Sequence, residues 1–351
     1  HFVVLGGILL VVWSGMLLVT GAASAGLLAG FVSRLAADAG IKPSPPTHAI
    51  VAGRSASFWL TVGCFVLISA IASAAGIVTA TTLPETVEVI AHRGAAGSRP
   101  ENTMAAVRKA IDDGADWVEI DVQETADGEV VVVHDRDFMK LAGNPLKVWQ
   151  ATAADLEAVD IGSWFGPEYA GERTPTLRAV LEEARGRAKV LVELKFYGHD
   201  ERLAERVVAL VEDTAMVDST AFMSLEPKQV ARMKELRPNW RVGTLAARSV
   251  GDPARLQGDF LAISRSMATA PVIGHVRNRG KDVYVWTVDD PVSMSRMISR
   301  GAGGLITNEP AMAREVIAER SQMSLLERLM LEAVDLFGVD FKQKTYRDSS
   351  P

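Results

Sequence analysis

One cysteine, Cys64, stands in 351 residues, so no internal disulfide can form and a disulfide-stapled scaffold is excluded. That single thiol fits either redox compartment. Basic charge is also in short supply: 37 Lys and Arg face 43 Asp and Glu, for a net charge of −6. A nucleic-acid binder needs a basic surface against the phosphate backbone, which argues against that class of partner. Compositional bias is missing too. With 23% charged and 48% hydrophobic residues, the chain is neither disordered nor collagen-like. Its length suits one large domain with extra segments.

Local absences of charge divide the chain near residue 84. Residues 2–32 hold no charged side chain, and neither do residues 58–83. Each run exceeds the ~20 apolar residues that a helix needs to cross a bilayer. Gly26 and Gly30 form a small-residue helix-contact motif inside the first. Two buried core helices are the alternative, but uncharged runs this long are rare in soluble cores. A cleaved signal peptide fits poorly, because the first run is long and lacks a basic leader. Residues 1–84 are therefore expected to form a membrane segment with about two transmembrane helices. The chain starts at His1 rather than a methionine, so further sequence, with room for more spans, is expected upstream. The connecting loop, 33–57, carries Arg34, Lys42 and Arg54 against Asp38. Positive loops stay cytoplasmic, which would place the following domain outside the cytoplasm, on an integral membrane protein.

After Pro84 the pattern changes to short β-rich runs alternating with helical stretches. Strands are expected at 88–91, 117–121, 130–134, 190–193, 221–224, 241–245, 260–264, 283–286 and 304–307. Helices are expected at 104–113, 200–213, 227–236, 269–279 and 291–300. Such alternation implies a parallel sheet. A closed TIM (β/α)8 barrel uses eight strands, and nine runs are present. The odd one is 130–134, which follows its predecessor too closely for a crossover helix and is preceded by Asp127-Gly128, a hairpin signal. A two-residue turn there would set His134 opposite Asp121. The barrel domain is expected over 85–320, with an insertion at about 136–174 that carries Phe138, Trp149, Trp164, Phe165 and Tyr169. Residues 321–351 read as an amphipathic helix and tail, with Leu325, Leu326, Leu329, Met330, Val334 and Phe337 on or near one stripe.

Polar residues collect where barrel strands end, the usual place for an active site. His92 and Arg93 follow the first strand. Glu119 and Asp121 end the second, two residues apart and so on one face. Glu193 and Lys195 end the third parallel strand. Trp286, Thr287, Thr307 and Asn308 end the last two. Three carboxylates close together need a cation, and oxygen-only ligands favour Mg²⁺ or Ca²⁺ over zinc. Arg93 and Lys195 suit a phosphate. His92 and His134 can exchange protons near neutral pH. Together these are the requirements of phosphodiester cleavage. The remaining histidines, His1, His48, His199 and His275, read as structural.

Two long motifs carry a resemblance: VIAHRGAAGSRPENT at 89–103 and VEIDVQETADGEVVVVHD at 118–135. VELK at 192–195, WTVDD at 286–290 and GLITNEP at 304–310 follow in order. In spacing and order the stretch 87–320 resembles the glycerophosphodiester phosphodiesterase family, in its membrane-anchored bacterial form. The resemblance implies a TIM barrel with a small insertion. It implies Glu119, Asp121 and Glu193 as ligands of one divalent ion, and His92 and His134 as the acid/base pair. Arg93 and Lys195 would hold phosphate, and Trp286 would face glycerol. The products would be glycerol 3-phosphate and an alcohol. Glu101 and Asp135 are candidates to back the metal ligands, and Asn102 to cap the helix starting near Thr103. Departures stand at Lys140-Leu141-Ala142, where an Arg-Thr-Thr stretch is common, and at Gly303 and Asn308, where aspartates are common.

The substrate alternatives are lysophospholipids and cell-surface glycerophosphate polymers. An acyl chain would meet the insertion aromatics if these did not form a core of their own. A barrel that only binds phosphodiesters is the non-enzymatic alternative, and the full set of acids and histidines stands against it. The charge asymmetry of loop 33–57 gives a direct test of topology: a reporter fused after Arg320 is expected to be active only in the exported compartment. A signal confined to the cytoplasm would overturn it.

Overall fold

The structure is a computed structural model that describes residues 86–199, 202–248, 251–324 and a few isolated positions outside these ranges. The two uncharged runs and most of the expected C-terminal amphipathic helix lie outside the described residues. Among the described residues, no helix is long and apolar enough to cross a membrane.

Eight parallel strands close a barrel: β1 (Glu88–Ala91), β2 (Trp117–Glu124), β6 (Lys189–Leu194), β7 (Thr220–Ser224), β8 (Val242–Ala246), β9 (Phe260–Ser264), β10 (Asp282–Trp286) and β11 (Gly304–Thr307). β1 pairs with both β11 and β2, which completes the ring. β3 (Val130–Val132) adds to β2 antiparallel. All nine runs expected from the sequence are strands. β4 (Asp137–Phe138) and β5 (Asn144–Lys147) form a separate hairpin that the sequence pattern did not single out. Strands this short, with a register break between them, carry no readable alternation.

The helices packed around the barrel are α1 (Met104–Asp112), α4 (Leu177–Ala184), α5 (Leu203–Asp213), α6 (Pro227–Leu236), α7 (Ala270–Arg277), α8 (Pro291–Ser299) and α9 (Pro310–Gln322). Their starts are written locally. Thr103, Thr176, Thr269 and Asp290 accept hydrogen bonds from backbone N–H groups three residues on, satisfying donors that the first turn leaves open. Proline opens α6, α8 and α9, where its missing N–H costs nothing.

Alternation along each strand splits the core in two. Ile90, Trp117, Leu191, Phe260, Tyr284 and Ile306 fill the barrel interior. Their neighbours, such as Val89, Val118, Val190, Leu261, Val285 and Leu305, pack outward with helix residues. Each fully buried side chain of this kind contributes about 1.5–3 kcal/mol. Toward the N-terminal end of the strands, the Arg241 guanidinium lies over the Trp117, Phe260 and Tyr284 rings at 5.8, 5.5 and 5.5 Å. Interior positions nearer the C-terminal ends become polar, and these form the site.

The hairpin register differs from the sequence expectation by one residue. Thr125 pairs with Glu129, so the turn has three residues, Ala126, Asp127 and Gly128, with Gly128 at φ +84°. A glycine in the left-handed region is what a three-residue bulged hairpin requires. Val133, not His134, is therefore the residue opposite Asp121.

Between β3 and α4 the insertion builds its own core from Phe138, Leu141, Val148, Leu156 and Ile161, packed against Val131 and Val133 of the hairpin. Two short helices belong to it, α2 (Met139–Ala142) and α3 (Ala153–Glu157). Trp164, Phe165 and Tyr169 meet edge to face, and Trp164 Nε1 donates to Ile161 O. Phe138, Trp164, Phe165 and Tyr169 are thus used in packing the insertion.

Candidate active site

The strand period of two aims the site. On β2, Trp117, Glu119, Asp121 and Gln123 share the interior face; on β6, so do Leu191 and Glu193, with Lys195 following the strand. Asp121 and Glu193 are direct neighbours in the β2–β6 register. Glu119, Asp121 and Glu193 are all buried, and a carboxylate oxygen of each lies within 4.8 Å of the others.

Loop 92–103 closes over these acids from β1. The Arg93 N–H donates to Glu119 Oε2 at 2.8 Å, and its Nε lies 3.3 Å from Asp121 Oδ2. Glu101 holds the other end of this guanidinium at 2.9 Å and takes Lys140 at 2.7 Å. Glu101 therefore backs Arg93 rather than touching a metal ligand directly. Asn102 departs from the capping role expected of it: Thr103 caps α1, while Asn102 Nδ2 donates to Asp121 Oδ2 at 2.9 Å. Both Arg93 and Asn102 have positive φ, 52° and 56°, conformations that cost about 1–3 kcal/mol each and persist where surrounding contacts hold them. Gly94, at φ +78°, lets the loop lie on α1; a Cβ there would sit 2.6 Å from the Ala106 carbonyl carbon.

Lys195 reaches Glu193 Oε1 at 2.6 Å and Asp121 Oδ1 at 3.0 Å. Burial alone would lower its pKa, but the two carboxylates push it above the ordinary lysine value. Burial would raise Asp121, yet Lys195, His134 and Arg93 hold it well below the usual range. Glu119 moves the other way, raised well above normal by burial and then by the charges of Asp121 and Glu193. Glu193 is raised by burial, with Lys195 opposing. Glu119 Oε1 is buried with no hydrogen-bond partner. An unpaired buried carboxylate oxygen beside two further acids fits a hard cation.

The two histidines flank this cluster, and His134 lies near enough to His92 to bear on its proton affinity. His92 Nδ1 lies 2.8 Å from Asn308 Oδ1. The amide cannot be turned the other way, because Asn308 Nδ2 donates to Asp289 Oδ2 at 2.9 Å and a carboxylate only accepts. Nδ1 of His92 must therefore carry hydrogen, which leaves Nε2 as the acceptor in the neutral ring. Burial, then the Arg93 charge, draws the His92 pKa down to about 3, so the ring is neutral at physiological pH. His134 Nδ1 bonds instead to a carboxylate, Asp135 Oδ1, at 2.7 Å, and that bond holds Asp135 below its ordinary pKa. Gln123 Nε2 donates to the carbonyls of Val133, His134 and Asp135 at 2.9, 3.2 and 2.8 Å. This clamp turns the chain toward the acids, so His134 acts on Asp121 despite the register difference.

Trp286 packs on the interior cluster and donates from Nε1 to Ala262 O at 3.1 Å; its peptide bond to Thr287 is cis. His199 stacks on Trp149 with centroids 4.1 Å apart, a structural contact. Reading strand ends alone does not reveal Gln123 or Asp289. Gln123 continues the inward face of the Glu-x-Asp pattern, and that parity is the signal that finds it.

A (β/α)8 barrel with buried acids, two cationic side chains and two differently anchored imidazoles at its strand ends defines a class of enzyme that handles phosphate esters. Comparison with known proteins narrows the class. The glycerophosphoryl diester phosphodiesterase family pattern matches residues 92–312, and the chain belongs to this family. A glycerophosphodiester phosphodiesterase of Caldanaerobacter subterraneus subsp. tengcongensis is 31% identical over 233 residues, 63% of this chain and 94% of the relative. The structure of an Oleispira antarctica phosphodiesterase in complex with the product sn-glycerol-3-phosphate has 27% identity and a TM-score of 0.63, covering 68% of this chain and 98% of that one. A glycerophosphodiester phosphodiesterase of Agrobacterium tumefaciens has 27% identity and a TM-score of 0.59, covering 65% and 99%.

The Asn308–His92 bond is testable. Asn308→Ala should lower kcat/KM at least about tenfold, because the ring loses the acceptor that fixes its tautomer. Asn308→Asp exchanges the amide for a carboxylate that shares negative charge with Asp289, and it should move the acid limb of the pH profile upward, since that charge stabilises the imidazolium. An unchanged profile in Asn308→Asp would reject this role.

Proposed function

We propose that the chain hydrolyses glycerophosphodiesters to glycerol 3-phosphate and an alcohol, using one Mg²⁺ or Ca²⁺ ion held by Glu119, Asp121 and Glu193. The observation that carries this reading is the approach of three buried carboxylates to within 4.8 Å, beside Arg93 and Lys195. Formal charges agree with it. Glu101, Glu119, Asp121 and Glu193 face Arg93, Lys140 and Lys195, an excess of one negative charge that would repel a phosphodiester. A bound divalent cation reverses that excess and supplies charge stabilisation for the phosphoryl oxygens.

The chain's own residues divide the remaining work. Arg93 and Lys195 orient the phosphate. His92, with hydrogen on Nδ1, offers Nε2 to the attacking hydroxyl as base. His134, with Asp135 as counter-charge, donates from Nε2 to the leaving alkoxide. Trp286 gives the glycerol an apolar face. A second reading, hydrolysis of lysophospholipids, is favoured by exposed Phe196 and Tyr197 directly after Lys195 and by exposed Leu225 in the neighbouring loop. Phosphorus NMR of products from a panel of glycerophosphodiesters and lysolipids separates the two. Anchoring through the uncharged runs 2–32 and 58–83, with the barrel outside the cytoplasm, is part of the proposal and rests on sequence alone.

Glu119→Gln should cut kcat by roughly a hundredfold or more, since loss of metal charge stabilisation costs several kcal/mol. Full activity in excess chelator would contradict the cation requirement. For the histidines, each alanine variant should lose roughly 10²–10⁴-fold in rate on natural diesters. A nitrophenyl ester, whose leaving group needs little protonation, should restore His134→Ala and not His92→Ala. The reverse pattern would exchange the two roles.

A further inference from the structure

Past β6, every second residue reaches back toward the barrel mouth or the insertion. Lys195 meets Glu193 and Asp121. Tyr197 donates from its hydroxyl to His134 O at 2.8 Å. Gly198, at φ +84°, turns the chain, and His199 stacks on Trp149 of the insertion. The segment 195–199 thus ties the carboxylate cluster, the His134 backbone and the insertion together, although residues 196–199 are themselves exposed.

The Tyr197 contact falls where the hairpin ladder has stopped. β3 ends at Val132, and Val133 N still donates to Asp121 O; His134 lies one residue further on. Gln123 faces the carbonyls of Val133, His134 and Asp135, but a side-chain amide has only two hydrogens for these three acceptors. The His134 carbonyl is its longest contact, at 3.2 Å against 2.9 and 2.8 Å. Tyr197 gives that same carbonyl its short bond. A phenol keeps its hydrogen to about pH 10, so the donor persists under working conditions. The carbonyl belongs to the peptide that joins His134 to Asp135, and across that peptide His134 Nδ1 meets Asp135 Oδ1. Fixing the peptide plane therefore fixes the imidazole and its counter-charge as a unit.

We infer that Tyr197 is a positioning residue for His134: its hydroxyl holds the His134–Asp135 peptide so that the imidazole is presented to the substrate in one orientation. The inference rests on the proposed function, in which His134 transfers a proton. Tyr197 reaches the reaction only through His134, and the role resides in one oxygen atom of a half-exposed ring.

The test uses the full chain with Mg²⁺ and the variant Tyr197→Phe, which keeps the ring and removes the hydroxyl. On a glycerophosphodiester its kcat should fall about three- to tenfold, the worth of one hydrogen bond, with KM within about twofold. The same loss should appear in His92→Ala and none in His134→Ala, because that variant has no imidazole left to position. A loss of equal size in the His134→Ala background, as a merely structural contact would give, overturns the inference. So does the absence of any loss in the otherwise unmodified protein. On a nitrophenyl ester, which needs little protonation, Tyr197→Phe should match the unmodified protein. If its loss persists there while none appears in His134→Ala, His134 is the base: the acid assignment fails and the role of Tyr197 stands. If no diester is turned over, the hydrolytic reading fails and imidazole NMR decides. Tyr197→Phe should then displace or broaden the His134 ring signals and leave those of His92 unmoved; unchanged His134 signals overturn the inference.

Discussion

The barrel mouth depends on keeping three buried carboxylates together. Glu119, Asp121 and Glu193 would repel one another in a medium that screens poorly, and burial adds a desolvation cost to each. Arg93 and Lys195 make the arrangement tolerable, but neither can do so unaided. Arg93 is placed by Glu101, which Lys140 helps neutralise, and by a loop that accepts positive φ at Arg93 and Asn102. Strain in that loop is therefore tied to the acids: a relaxed loop would withdraw the Arg93 N–H from Glu119 and the Asn102 amide from Asp121. Such a network is weak evidence for stability, since buried ion pairs seldom repay their desolvation. Its value lies in holding a site ready for a cation and a phosphate.

Histidine placement follows from the same constraint by a different route. Neither imidazole is anchored to the acids at the centre; both are held from the rim. His92 leans on a neutral amide and His134 on a carboxylate. The two anchors differ in kind: an amide oxygen fixes a tautomer, whereas a carboxylate can also balance a positive charge. The barrel contributes only direction, through the interior parity that carries Ile90 to His92 and Ile306 to Asn308.

Much of this was legible in the sequence because strand parity and turn chemistry are local properties. The nine strand positions, the reversed third strand and the convergence of Glu119, Asp121 and Glu193 follow from alternation and from Asp127-Gly128. Failures came where one residue changes a count or where a side chain chooses between partners. Asp-Gly fits a two-residue turn as well as the last two positions of a three-residue one; the Thr125–Glu129 pair selects the latter, by contacts that spacing does not encode. Asn102 stands beside a helix start, where capping is the common role, but Thr103 already supplies the cap and leaves the amide for Asp121. Gln123 is a neutral residue among acids, and its clamp on the His134 segment appears only when three carbonyls converge on it.

Asn308 shows how one departure from the family pattern can be consistent with the rest of the site. Aspartate is common there, yet in this chain Asp289 already faces position 308 and accepts from its backbone N–H at 2.7 Å. A second carboxylate would be set against Asp289, and one of the two would have to take up a proton or turn away. Asparagine avoids that conflict by donating to Asp289 and accepting from His92, so a single amide links a half-buried acid to a neutral ring without adding charge. The consequence reaches the chemistry. An amide behind Nδ1 favours the imidazolium less than a carboxylate would, and burial and the Arg93 charge outweigh it, so His92 remains an acceptor at pH values where a carboxylate-backed ring would begin to hold a proton. The substitution at 308 and the acid at 289 are thus one feature of the site, and the tautomer of His92 is the property they jointly set.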